Sequence, residues 1–135
     1  MKRDVILPDT DRRAYETFHF APAVRTGDLV ILSGQIGLDE RGQIPESPEE
    51  EFRNAWRSIG AVLTHAGLDY ADVVEYTSYH VGLQAHLAAF MKVRDEFISE
   101  PWPAWTAIGI VELAVPGARV EIKVIASRQT RLSRS

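Results

Sequence analysis

The sequence predicts an α+β domain in which two amphipathic helices cover one face of a mixed β-sheet. Two helical stretches, at about residues 48–66 and 85–98, carry apolar residues at three- and four-residue spacing. Around them lie strand-like runs rich in β-branched and aromatic residues, giving the order β-β-β-α-β-α-β-β. With 135 residues, 45% of them hydrophobic, the chain can bury one ordinary core, so residues 1–128 are assigned to a single domain. The polar, aperiodic QTRLSRS at 129–135 is read as a flexible tail.

In chain order, MKRDVILPDTDRR has only a short apolar run before Pro8 and several charges, which suits neither a signal peptide nor a membrane anchor. YETFHF (15–20) and LVILSG (29–34) read as strands, and LDERGQI (38–44) as a hairpin turn around Gly42. Ser47, Pro48 and Glu50 then supply an N-cap, an N1 proline and a capping-box carboxylate for the first helix. Its apolar face is Phe52, Ala55, Trp56, Ile59, Val62, Leu63 and Ala66, and Gly67 stands where a C′ glycine would end it. VVEYTSYHV (73–81) is the next strand.

The helix at 85–98 carries Leu87, Phe90, Met91, Val93 and Phe97 but no strong cap, and Pro101 closes it. AWTAIGIV (104–111) and RVEIKVIAS (119–127) complete the sheet; in the latter Val120, Ile122, Val124 and Ala126 share one face, Glu121 and Lys123 the other. Two helices cover only one side of such a sheet. Self-association through the bare face follows.

A net charge of -4, from 15 basic and 19 acidic residues, lacks the cationic field that nucleic acid or an anionic membrane requires, so neither is an expected partner. The absence of cysteine excludes disulfides, zinc-thiolate sites and a Cys nucleophile. His19, His65, His80 and His86 lack metal-ligand spacing, and no dinucleotide, P-loop or G-x-S-x-G motif is present, so neither metal nor cofactor is expected. A cytoplasmic location is the simplest expectation.

GDLVILSGQIGLD (27–39) carries the most chemistry: a turn glycine leads into an apolar strand that ends in Ser33, Gly34 and Gln35. A hydroxyl, a position of close backbone approach and a carboxamide are parts of a small-molecule pocket. The same three residues also suit a plain strand terminus with a satisfied amide.

GDLVILSGQIGLDERGQI, the helix and strand EEEFRNAWRSIGAVLTHAGLDYADVVEYTSYHV, and PWPAWTAIGIVELAVPGARVEIKVIASR together resemble the Rid family, the YjgF/UK114-type proteins, from about residue 17 to 128. The best known members are reactive-intermediate deaminases. The resemblance implies a chorismate-mutase-like α+β subunit, a homotrimer, and ligand clefts between neighbouring subunits.

Residue by residue, it places Ser33, Gly34 and Gln35 on the family's strand-end motif and Glu121 on the carboxylate thought to position or activate water, after one extra residue near the Val115–Ala118 turn. Two positions depart. Trp105 stands where deaminating members carry the arginine that grips a substrate carboxylate, and Phe20 where they carry a tyrosine. Losing a buried carboxylate clamp costs about 2–5 kcal/mol of binding, enough to remove useful activity on simple imino acids and to place the chain in an arginine-lacking branch. Lys123, Arg25, Arg94 and Arg119 are candidate substitutes, though none occupies the motif position. For Lys123 the plain reading is a solvated strand charge loosely paired with Glu121.

The resemblance therefore implies a hydrolase for an imine, enamine or similar electrophilic carbon on a small planar or aromatic metabolite. Glu121 would orient water or carry a proton, and if exposed would do nothing chemical. Backbone groups near Ser33 and Ala107 would hold the polar end. Trp105, facing the cleft rather than the helix-packed core, and Phe20 would form an apolar wall. The alternative is a non-catalytic small-molecule-binding trimer. Ribonuclease activity, a name sometimes attached to the family, is disfavoured by the charge balance and the lack of paired histidines.

Overall fold

The computed structural model describes residues 2–128; the tail assigned to 129–135 lies outside them. Six strands form one sheet: β1 (Asp4–Ile6), β2 (Ala23–Thr26), β3 (Leu29–Leu32), β4 (Val73–His80), β5 (Ala104–Gly109) and β6 (Val120–Ser127), in the spatial order β1-β2-β3-β6-β4-β5. Three helices accompany them: α1 (Arg12–Phe18), α2 (Pro48–His65) and α3 (Leu83–Arg94). All pairings are antiparallel except β4 with β5. That parallel pair needs a crossover, which α3 supplies.

The helix α2 begins and ends on local signals. Ser47 Oγ accepts from Glu50 N at 3.2 Å. The Glu50 carboxylate does not return to close a capping box, because Arg53 and Arg57 draw it away at 3.2 and 3.1 Å. At the other end Gly67 (φ 80) lets Leu68 N reach Leu63 O and Gly67 N reach Thr64 O, the paired bonds of a Schellman stop. Helix α3 runs two residues earlier and ends four earlier than its apolar period predicts; Gly82 (φ 79) precedes it without a side-chain cap.

One face of β6, Val120, Ile122, Val124 and Ala126, is fully buried against α2, together with Val30 and Leu32 of β3. Trp56 is the hub of that layer, packing edge-on against Tyr76 (5.2 Å) and stacking on Phe97 (6.2 Å). On the opposite face Glu121, Lys123 and Ile125 alternate with the buried set and stay partly exposed. Register places Ile31 beside Val24 and Ile125, and Tyr79 beside Ile108, on that open face.

Three readings of the sequence need correction. YETFHF is not a strand: residues 12–18 are helical, and His19 in a left-handed conformation (φ 62, ψ 46) stops the turn with its N–H on Tyr15 O. Six residues of alternating aromatics fit either period, and acidic Asp9 and Asp11 just before the helix favour its positive end. Strands β1 and β2 are too short to carry a strand pattern of their own; their segments gain order by pairing, Val24 opposite both Val5 and Ile31. LDERGQI does turn, with Asp39 Oδ1 accepting from the N–H groups of Arg41 and Gln43, but no paired strands flank it.

Candidate functional site

The end of β3 is folded onto β6 by a reciprocal backbone pair, Gln35 N to Ile122 O and Ile122 N to Gln35 O, both 2.9 Å. This sets Gly34 against Glu121. A Cβ at Gly34 would lie 2.5 Å from Glu121 Oε2, so glycine is what lets the carboxylate rest on the strand. Ser33 N and Oγ bond Pro22 O (2.8 Å) and Ala21 O (2.6 Å), which ties the preceding loop, and Phe20 with it, to the same strand end. The Gln35 amide is held at both ends, Nε2 donating to Ser33 O at 3.1 Å and Oε1 accepting from Ser58 Oγ at 2.5 Å. Within the subunit Gln35 therefore supports the strand end.

Phe20 is 49% exposed and divides two hollows. The larger, about 720 Å³, is lined among others by Tyr15, His19, Ile31, Ser33 and Lys123; the smaller, about 270 Å³, by Gly34, Gln35, Leu38 and Ser58. Tyr15 on α1 and His19, whose N–H bonds Tyr15 O at the end of that helix, line the larger hollow together, and Tyr15 brings a phenol to the wall where Phe20 has none; reading YETFHF as a strand hides this. Lys123 is not paired with Glu121 among the described residues. Its Nζ donates instead to Leu32 O at 3.3 Å.

Trp105 and Ala107 lie on β5 at the sheet edge, in register with Tyr76 and Ser78. Contrary to the expectation that Trp105 turns away from the helix-packed core, its ring is on the helix side, stacked on Tyr76 (5.8 Å, 15°) and Phe90 (6.0 Å, 29°). A slip of one residue flips a strand side chain to the other face, and here pairing with β4 decides it. Trp105 Nε1 donates to Ser78 Oγ at 2.9 Å, and that hydroxyl lies 2.8 Å from His80 Nε2. Burial, and secondarily the proximity of His86, lowers the His80 pKa to about 4. The imidazole is neutral near pH 7. The rest of the Trp105 ring borders a hollow shared with Arg94 and Trp102.

Of the candidate cations, Arg25 bonds Ala66 O, and Arg119 bonds buried Glu51 at 2.6 Å and the carbonyls of Pro45 and Glu46, so both serve the scaffold. Arg94 alone of the four stands beside Trp105. No cluster of three metal-ligating side chains occurs among the described residues. The chain holds Phe20, Ser33, Gly34, Gln35 and Glu121 together, but not with Trp105 and Ala107. Strand β4 lies between β6 and β5, and Glu121 and Trp105 occupy opposite faces.

A family model described as Endoribonuclease L-PSP matches residues 11–128. The RutC family protein YjgH of Escherichia coli is 34% identical over 127 residues, covering 93% of this chain and 95% of that protein. Its solved structure superposes with a TM-score of 0.84 over 94% of this chain and 97% of its own. A 2-iminobutanoate/2-iminopropanoate deaminase of Bos taurus is 34% identical over 112 residues, 79% of this chain and 78% of that protein. RidA from the Antarctic bacterium Psychrobacter is 30% identical with a TM-score of 0.75, covering 80% of this chain and 87% of its own.

Proposed function

Since the chain belongs to the Endoribonuclease L-PSP (YjgF/UK114) family, we propose that it is a Rid-type hydrolase that converts an imine or enamine on a small planar or aromatic metabolite to the carbonyl compound and ammonia. The observation that carries the proposal is Glu121 laid against Gly34, which with the exposed Phe20 lines the smaller hollow. Relatives named as imino-acid deaminases support the reaction class.

The site is made between copies of the chain. One subunit presents the Glu121 half at the β3–β6 end and the Trp105 half at the β5 edge, and an open face with Leu29, Ile31, Ile125 and Ile108 calls for cover. A closed ring of three copies buries these surfaces and apposes the two halves. No cofactor takes part, and the enzyme is cytoplasmic.

Glu121 takes one proton from water as the water oxygen bonds the imine carbon and passes it to the nitrogen, giving a carbinolamine; it then takes the remaining hydroxyl proton and delivers it to the amine as the C=O bond forms and the C–N bond breaks, so that ammonia leaves and the carboxylate is restored. Phe20 and Trp105 hold the substrate's ring and exclude bulk water. The test is ammonia release from imines generated in the cuvette by an amino-acid oxidase, with aromatic and small amino acids compared. Faster release for aromatic imines supports the reading; no acceleration with any imine contradicts it.

A binding trimer without turnover is favoured by one observation, that both ends of the Gln35 amide are tied to Ser33 and Ser58 as scaffold bonds. Binding without ammonia release distinguishes it. Ribonuclease activity is not proposed, because a net charge of -4 supplies no field for RNA.

A further inference from the structure

We infer that Arg94, with Trp102 and Trp105, forms an anion-binding subsite that takes the carboxylate of a planar aromatic ligand. Five residues, Tyr76, Arg94, Trp102, Pro103 and Trp105, line a hollow of about 270 Å³ at the β5 edge. That volume is just below the roughly 300–1,000 Å³ of typical small-molecule pockets, which suits a single ring with one substituent. The guanidinium carbon lies 5.1 Å from the centre of the Trp105 ring and 5.8 Å from that of Trp102, within cation–π range of both.

The guanidinium is held but not saturated. Nη1 donates to Tyr76 Oη at 2.8 Å and Nε to Asp95 Oδ1 at 2.7 Å, while Nη2 has no hydrogen-bond partner among the described residues. The Arg94 side chain is only 15% exposed, whereas Asp95, its one ion-pair partner, is 55% exposed and largely given to solvent. A guanidinium so desolvated, with one donor group unused in an open hollow, favours an incoming anion.

The ring requirement comes from Trp102, which is 56% exposed and leaves much of its indole open beside the Arg94 guanidinium. A carboxylate alone gains the charge but not the stacking. A neutral ring gains the stacking but leaves Nη2 unpaired. A planar aromatic carboxylate uses both. This names the ligand class of the cleft proposed above and rests on that reading only for the other half of the cleft.

The test titrates the full-length protein with nicotinate and with its neutral isostere nicotinamide, following the indole N–H signals by NMR. Nicotinate is expected to bind about tenfold or more tightly than nicotinamide and to shift the Trp102 and Trp105 signals. Arg94→Gln is expected to bring the two affinities within about twofold. Equal affinities in the wild type, no response to nicotinate up to about 10 mM, or an undiminished preference in Arg94→Gln overturns the inference. Should Arg94→Gln fail to fold, Trp102→Ala, at an exposed ring, is expected to weaken nicotinate about fivefold, and unchanged affinity there overturns it equally. Ammonia release is not the readout. Arg94-dependent nicotinate binding in a protein inert to every imine keeps this subsite and removes the hydrolase, and turnover without that binding does the reverse.

Discussion

Trp105 donates its indole N–H to Ser78 Oγ at 2.9 Å and lies under the Arg94 guanidinium, so its side chain is anchored in the helix-side packing. A simple exchange of Trp105 for arginine therefore does more than add a clamp. Trp105→Arg forfeits stacking on Tyr76 and Phe90, leaves Ser78 without its donor, and brings a second guanidinium to Arg94. It is expected to lose about 2–4 kcal/mol of stability and to gain no imino-acid hydrolysis. Urea unfolding and ammonia release with 2-iminobutanoate check this; a variant as stable as wild type that hydrolyses the imine refutes it.

Gly34→Ala drives a methyl group into Glu121, since the new Cβ would be 2.5 Å from Oε2. Gly34 carries no positive φ, so alanine meets no backbone penalty and the protein is expected to fold. The displaced carboxylate should lower turnover at least about tenfold with melting temperature nearly unchanged. Full activity in the alanine variant would detach Glu121's placement from catalysis.

His80 makes stability depend on pH. Its folded-state pKa, about 4, is below the ordinary 6.5, so the unfolded chain binds the extra proton first. The contribution is therefore complete above pH 6.5 and is lost as pH falls toward 4, up to about 3 kcal/mol. His80→Gln should flatten the pH slope of the unfolding free energy over that window by about one proton. Parallel slopes for variant and wild type would show that His80 is not the titrating group.

Size-exclusion chromatography with light scattering should give three times the 15.1 kDa chain mass. Ile31→Glu, a charge in the middle of the open face beside Val24 and Ile125, should yield monomers and abolish turnover together. A monomeric wild type at micromolar concentration contradicts the shared cleft.

What the sequence made legible is what local chemistry decides. Ser47, Pro48 and Gly67 mark both ends of α2 without reference to any other element, and the alternation of Val120, Ile122, Val124 and Ala126 marks the buried face of β6. The neighbourhood of Ser33, Gly34, Gln35 and Glu121 was readable through the resemblance, and the Gln35–Ile122 bridge gives its structural cause. The face taken by Trp105 was not. Its direction depends on the parallel register with β4, set by the α3 crossover, and no residue near position 105 encodes that. The short β1 and the helix α1 escaped for a related reason: β1 exists through its pairing with β2, and α1 buries none of its residues, so no core-facing period betrays it.

The most direct measurement is the rate of ammonia release from an aromatic imine by the wild type and by Glu121→Gln, both verified as folded trimers. The amide keeps the shape of the side chain but cannot take a proton from water, so the variant should keep its KM while its kcat falls by about 10²–10⁴. Equal rates in the two proteins, or no acceleration by the wild type, would contradict the account.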